Sequence, residues 1–237
     1  MKKIVVAYHV YLIDHCVDMI TDQMENVISS GLLKGCNKFY IGVMDPKTEQ
    51  SAKWLEWLRW FCARIGPDAE NAKITIEVYD DNKEEAKTLK FIKDYSAENP
   101  GDYIGYFHTK GITQFSAPTE SWRRYMEYFT VEKWRNSIKI LEKGFDCCGV
   151  MWNKDTPLGY WPHFSGNFWW AKTDYINTLD HSYLDHPWRY MREFWIGSNK
   201  DVKAFEIHNS GYNTTERLKS NRGHYSIVYP EHNYRKR

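Results

Sequence analysis

Short apolar runs alternate with amphipathic stretches along the first two thirds of the chain, and that rhythm predicts the fold. Ile4 to Tyr8 is a β-rich run with no polar alternation, the pattern of a strand buried on both faces. Val17, Ile20, Met24, Val27 and Ile28 then recur at helical spacing and stop near Gly31. Phe39 to Val43 predicts a second strand, closed by Asp45-Pro46. Trp54, Leu58, Phe61, Cys62 and Ile65 share one helical stripe that Gly66-Pro67 terminates. Ile74 to Tyr79 alternates as a third strand, a charged helix follows over Glu84 to Ala97, and Tyr103 to Phe107 makes a fourth strand. Beyond it the pattern predicts a long helical region from Thr119 to Lys143, broken near Thr130, and strands at Phe145 to Met151 and Ser165 to Ala171. Asp174 to Leu179 reads as a short helix capped by Thr173. From about Asp180 the periodicity fades into an irregular segment. The β-α-β-α-β-α-β order implies an α/β fold, a mostly parallel sheet flanked by helices.

Composition narrows the picture. The chain has 237 residues, 42% hydrophobic and 27% charged, which fits one α/β domain and excludes wholesale disorder. Aromatics reach 16%, with 11 Trp and 17 Tyr, more than a core of this size requires, so some are expected to line a ligand surface. A net charge of +1 argues against an extended nucleic-acid surface. The basic end, Tyr234-Arg235-Lys236-Arg237, reads as a solvated tail. Five cysteines, an odd number with no C-x-x-C, suggest neither a disulfide framework nor a zinc site, and a reducing, cytoplasmic setting fits best. The N-terminal apolar run is too short for a signal peptide, and no stretch reaches the length of a membrane span.

Candidate chemistry gathers where open α/β sheets bind ligands, beyond the carboxyl ends of the strands. Tyr8 and His9, Asp80 and Asp81, and His108 with Lys110 all fall at such ends. A glycine-rich dinucleotide fingerprint and a P-loop are both absent. Lys110 suits a phosphate, and His108 either donates to that phosphate or bonds backbone at the strand end. Arg123 or Arg124 would join Lys110 around a pyrophosphate, or else sit solvated on their helix. Asp80-Asp81-Asn82 offers hard oxygen ligands, or a solvated turn with a helix cap. Downstream, Ser165, Gly166 and Asn167 precede Phe168, Trp169 and Trp170. Small polar residues beside flat apolar walls suit a sugar, whose hydroxyls need hydrogen bonds and whose C–H faces need aromatic planes. The competing reading is a buried edge strand with a glycine bulge. Strand alternation turns Trp169 and Trp170 to opposite faces, so at most one meets a sugar.

Taken together, Tyr106-Phe107-His108-Thr109-Lys110-Gly111, Ser121-Trp122-Arg123-Arg124, Pro162 to Ala171 and Arg192-Glu193-Phe194-Trp195 form an ordered series. The series resembles small bacterial and viral glycosyltransferases of the GT-A type, including relatives of rhamnan synthesis protein F, over roughly residues 1 to 200. The resemblance implies a GT-A-like core over residues 1–180 and a segment, 181–237, that packs on it and completes the active site. It implies a nucleoside-diphosphate sugar donor near Tyr8, His9, Asp80 or Asp81, with the diphosphate at His108, Lys110 and Arg123. The sugar and a glycan or other hydroxyl acceptor would meet Ser165, Gly166, Asn167 and Trp169.

The family commonly carries Asp-x-Asp after the fourth strand, where this chain has His108-Thr109-Lys110. A lysine there supplies positive charge itself, so metal independence is expected, with Mg or Mn binding left open. Glu193 is the first candidate for the base of an inverting transfer, its other reading being an ion pair with Arg189 or Arg192. His163 could position the acceptor or act as base, and Asp155 and Asp174 rank lower. The alternatives are a non-catalytic carbohydrate-binding protein and a glycosyltransferase acting on modified DNA bases.

Overall fold

Strand β1 (Ile4–Tyr11) has six consecutive residues buried between two layers of the molecule. The computed structural model describes residues 2–66, 72–79, 85–154, 162–211 and 223–235. After β1 come α1 (Cys16–Ser29), α2 (Leu32–Gly35), β2 (Lys38–Met44), α3 (Glu49–Ile65), β3 (Lys73–Tyr79), α4 (Ala86–Glu98) and β4 (Tyr103–His108). The remaining elements are α5 (Ala117–Glu127), α6 (Trp134–Glu142), β5 (Cys147–Gly149), β6 (Trp152–Asn153), β7 (His163–Phe164), β8 (Trp169–Lys172), α7 (Thr173–Ile176), α8 (Ser182–Asp185), α9 (Met191–Phe194) and β9 (Ala204–Glu206).

Seven strands form one sheet in the order β3-β2-β1-β4-β8-β5-β9. Strand β8 is antiparallel to both neighbours, and every other pairing is parallel. The fold is thus α/β with a mostly parallel sheet. Side-chain alternation divides its core into two layers. Val6, Tyr8 and Val10 face the layer that α1, α3 and α5 cover, while Val5 and Ala7 face the layer that holds α4 and α7. The chain switches direction across the sheet between β1 and β4, because β2 and β3 lie on one side of β1 and β4 on the other. That arrangement opens a crevice at the carboxyl ends of β1 and β4.

Trp169 and Trp170 divide between the layers, as alternation predicts, and both are buried. Trp170 lies across Gly105, its register partner, where an added Cβ would come within 2.6 Å of the indole. Its Nε1–H donates to the Thr130 carbonyl at 2.7 Å. Thr130 lies in a π-helical turn, Tyr128–Glu132, between α5 and α6, so the helix break near Thr130 frees a carbonyl that the buried indole needs.

Three expectations change. The strand predicted at Ser165 to Ala171 begins only at Trp169, because residues 164–167 form a turn. Thr173 does not cap α7; its hydroxyl donates to the carbonyls of Asn99 and Asp102 and ties α7 to the start of β4. The end of the chain is no solvated tail through Arg235. Tyr234 is buried against Tyr125 and Tyr128, and Arg235 grips both carboxylate oxygens of Glu132 at 2.8 and 2.6 Å. Lys236 and Arg237 lie outside the described residues. The segment past residue 180 also supplies β9, the edge strand beside β5. All five cysteines are buried free thiols, and no helix among the described residues is long and apolar enough to cross a membrane.

Candidate functional site

The tetrapeptide after β4 divides its work residue by residue. Thr109 is buried and clasps the two strand ends: its N–H donates to the His9 carbonyl at 3.0 Å and its Oγ1 accepts from Tyr11 N–H at 3.2 Å. Lys110 N–H donates back to the His108 carbonyl at 2.7 Å, a three-residue turn, and Gly111 follows in the left-handed region with φ 83°. These bonds turn Lys110 into a cleft of about 420 Å³, within the range of small-molecule sites. His9, Tyr11 and residues 108–111 line it from the sheet, Met44 from the end of β2, and Glu85 from the start of α4. Residues 112–114, then Arg189, Tyr190 and Glu193, and finally Tyr225 complete its lining.

Gly166 joins the two central groups. Residues 164–167 make a hydrogen-bonded turn with Gly166 at φ 92°, the conformation that a type II turn requires at its third position. A Cβ there would strike the Met126 sulfur and approach Trp122 at 3.0 Å. The Gly166 carbonyl accepts from His108 Nε2 at 3.0 Å, and its N–H donates to Glu193 Oε1 at 2.5 Å. Since a carbonyl can only accept, His108 carries its proton on Nε2. Burial and then the Lys110 charge push the His108 pKa down to about 4, which leaves the ring neutral at pH 7.

Glu193 is pulled the other way. Burial alone would raise its carboxyl, but Lys110, His163, the Gly166 N–H and His108 outweigh it and hold the group below its ordinary range. Burial likewise tends to discharge Lys110, and Glu193, Tyr225 and Glu85 reverse that, so it remains cationic. The Lys110 ammonium also sits over the Trp122 ring at 4.7 Å and the Tyr225 ring at 5.8 Å. Glu85 carries the second carboxylate of the cleft. Its Oε2 accepts from Tyr106 Oη at 2.5 Å and from Asn167 Nδ2 at 2.9 Å. His9 is buried with Nδ1 2.9 Å from Thr88 Oγ1, and burial drives its pKa down to about 3.

Among the residues singled out in the sequence, the fold thus brings His9, His108, Lys110, Gly166 and Glu193 together. Others lie elsewhere. Tyr8 faces the helical layer: it stacks on Phe107 with centroids 4.4 Å apart and donates to Gln23 Oε1 at 2.6 Å. Arg123 is buried, with NH1 bound to both Glu127 oxygens at 2.7 and 2.9 Å and NH2 to Asp22 at 2.9 Å. It is therefore neither solvated nor available to a phosphate. Arg124 pairs with Glu120 and Asp22 on the surface of α5. Trp169 is sealed between Tyr106 and Trp195 and presents no face to a sugar.

The polar turn before Trp169 is spent inside the protein. Asn167, at φ 59°, donates to Glu85 and accepts from Trp169 Nε1 at 2.8 Å, while Ser165 Oγ lies 3.4 Å from His163 Nε2. These bonds make Ser165-Gly166-Asn167 a clamp that positions His108, Glu193 and Glu85. His163 is buried in β7 with its ring 4.7 Å from that of Phe194. Asp174 accepts from Gly101 N–H ahead of β4, at the strand end remote from the cleft. Asp80, Asp81 and Asp155 lie outside the described residues.

Glu85 escaped the sequence reading because it looked like one more charge on a charged helix. Its available signal was position: a carboxylate at the N-terminal boundary of the helix that follows a strand end. No group of three or more His, Cys, Asp or Glu side chains among the described residues is placed to hold a metal ion.

Comparison with known proteins adds a family and a distant structural likeness. Among solved structures, 4-diphosphocytidyl-2C-methyl-D-erythritol synthase is similar over 95% of this chain and 96% of its own, at 11% identity and a TM-score of 0.39. A likeness of that strength speaks to neither activity nor substrate. No curated protein matches the sequence. The family model described as "Domain of unknown function (DUF8361)" matches residues 10–184, nearly three quarters of the chain, and the protein belongs to that family.

Proposed function

We propose that the cleft binds a nucleoside-diphosphate sugar and transfers its sugar to an acceptor hydroxyl, with a glycan as the acceptor. The observation that carries this reading is the pairing of a cationic Lys110 with an ionised, half-buried Glu193 at the carboxyl ends of β1 and β4. Lys110 meets the diphosphate and balances the charge that grows on it as it departs. The acceptor oxygen attacks the anomeric carbon, and the bond from that carbon to the diphosphate oxygen breaks with its electron pair staying on phosphate. Glu193 takes the hydroxyl proton. Attack from the face opposite the leaving group inverts the anomeric centre.

Donor binding also tunes the base. In the free protein Lys110 is the strongest influence holding Glu193 ionised against its burial. A diphosphate on Lys110 offsets that charge and brings negative charge of its own, so the carboxyl rises toward useful base strength. His108 serves as a neutral strut through Gly166 rather than as a phosphate ligand. The aromatic surface for the acceptor comes from Tyr190 and Tyr225, which are exposed and line the cleft, in place of the sealed Trp169.

A thermal-shift screen against nucleotide sugars tests donor binding, since a ligand of the native state raises the midpoint by mass action. Glu193→Gln is expected to cut turnover by about 10²–10⁴-fold without weakening donor affinity, because it removes the counter-charge that competes with the diphosphate for Lys110. A screen in which no nucleotide sugar stabilises the protein, or near-normal turnover by Glu193→Gln, overturns the reading.

A further inference from the structure

Glu85 is held as a recognition group would be, and the transfer chemistry above makes no use of it. Two side chains that are themselves buried, Tyr106 and Asn167, donate to the same oxygen, Oε2. Asn167 is fixed in turn by Trp169 Nε1, and its backbone takes the left-handed conformation that asparagine accommodates best among non-glycine residues. A buried indole, a buried phenol and a buried amide therefore converge on one carboxylate that still lines the cleft. Orienting a surface charge would not need such support, whereas a preformed acceptor for a ligand would. A carboxylate accepts hydrogen bonds at both oxygens, and with Oε2 engaged, Oε1, which is bonded to none of the described residues, is the one offered to a ligand.

We propose that Glu85 recognises a vicinal diol, through hydrogen bonds that the diol hydroxyls donate to its carboxylate. This inference rests on the nucleotide-sugar reading, in which two parts of the donor carry such a diol: the ribose and the transferred sugar. The Lys110 charge across the cleft keeps a phosphate from being confined to the carboxylate side, so hydroxyls rather than anionic oxygens suit Glu85. Loss of a hydroxyl from such a ligand strands a desolvated carboxylate oxygen, which is costly, and discrimination of about tenfold or more follows.

The experiment measures binding of the four common ribonucleoside diphosphates, their 2′-deoxy counterparts and the matching nucleotide glucoses. The proteins compared are wild type, Glu85→Gln and Tyr106→Phe. If Glu85 reads the ribose, wild type prefers the ribo form of its diphosphate by about tenfold or more and Glu85→Gln loses that preference. If it reads the sugar, the ribo-to-deoxy ratio is the same in both proteins, and Glu85→Gln instead loses the advantage of the nucleotide sugar over the plain diphosphate. Tyr106→Phe keeps the carboxylate but removes one orienting donor, and is expected to weaken the same preference by a few-fold. It covers the case in which Glu85→Gln fails to fold. A diphosphate that binds all folded proteins with both ratios unchanged overturns the role of Glu85 and leaves the donor reading standing. Failure of wild type to bind any of these compounds overturns both.

Discussion

Two cations on neighbouring elements sit among carboxylates, and they have opposite fates. Arg123 lies beneath the cleft floor, bonded to Glu127 and Asp22 in a network that continues through Gln23 to Tyr8 and to the His108 carbonyl. One guanidinium nitrogen, NH1, bonds both Glu127 oxygens while NH2 holds Asp22, and the Arg123 and Glu127 side chains are at most 3% exposed. Lys110 stands only two residues beyond His108, yet its ammonium faces an open cleft, with aromatic rings beside it and Glu193 and Glu85 as its carboxylate neighbours. The arginine cluster is closed off inside the packed helices, with both terminal nitrogens on carboxylates and only the buried Nε–H without a partner among the described residues, and it acts as a fixed support. The lysine, a point charge, can exchange one counter-charge for another. Charge alone therefore does not mark a site; access to an unsaturated charge does.

The largest expected effect separates the two directly. Arg123→Ala strands the buried Glu127 carboxylate and should cost about 3–5 kcal/mol, lowering the unfolding midpoint by roughly 10 °C. Thermal and urea unfolding measure it, and an unchanged midpoint would show that the network is no support. Lys110→Met should melt much closer to wild type while weakening nucleoside-diphosphate binding by ten- to a hundredfold, the usual value of a charge-assisted bond, about 1.5–3 kcal/mol. The comparison collapses if calorimetry finds affinity intact or if this variant melts as low as Arg123→Ala.

Acid sharpens the contrast further. Burial pushes the pKa of His9 down to about 3 and those of His108 and His224 to about 4, below the 6.5 of an unfolded histidine. Below pH 6.5 the unfolded chain binds protons that the native chain refuses. Stability is therefore full above that pH and falls as pH drops to about 4 and then 3, by up to about 1.4 kcal/mol per pH unit for each histidine. His108→Gln, which retains a donor toward Gly166, should flatten the slope of midpoint against pH between 6.5 and 4. Arg123→Ala should alter it through a different group: loss of Arg123 raises the Glu127 carboxyl further, so the native chain gains a proton there as pH falls and part of the acid loss is offset. The smallest effect attaches to a single hydrogen bond: Trp169→Phe removes the indole donor to Asn167, about 1 kcal/mol on top of the cost of the volume lost from the packed core. A loss of activity larger than its loss of stability would tie Asn167 to the setting of Glu85; parallel losses would break that link.

Much of the scaffold was legible because burial on a sheet writes itself into apolar periodicity. β1 to β4, helices α1, α3 and α4 and the break at Thr130 all follow from runs and stripes that any sequence window contains, whereas the short α2 was not foreseen. Lys110 was legible as a site candidate for a related reason, since strand ends locate the crevice of an α/β sheet, whereas Glu193 was singled out only through the resemblance and its aromatic setting. Tyr8, Arg123 and Trp169 were not legible, because a polar tip or a large ring looks alike whether it meets a ligand or a buried partner. Arg123 is bound by Glu127 four residues on and by Asp22 a hundred residues away, and only the packed helices show that the second partner exists.

The sequence by itself determined the α/β architecture, its two-layered core and the strand ends where chemistry gathers, since each depends on local pattern and chain order. The tertiary structure alone decided what Ser165-Gly166-Asn167 does. Those residues look exposed and ligand-ready in the chain, but their hydrogen-bonding groups are claimed by Glu85, His108, His163 and Glu193, which lie up to 82 positions away. Hydrogen bonds of that reach are fixed only when the sheet and α9 close around the turn, because a buried polar group must take whichever partner the finished packing leaves beside it.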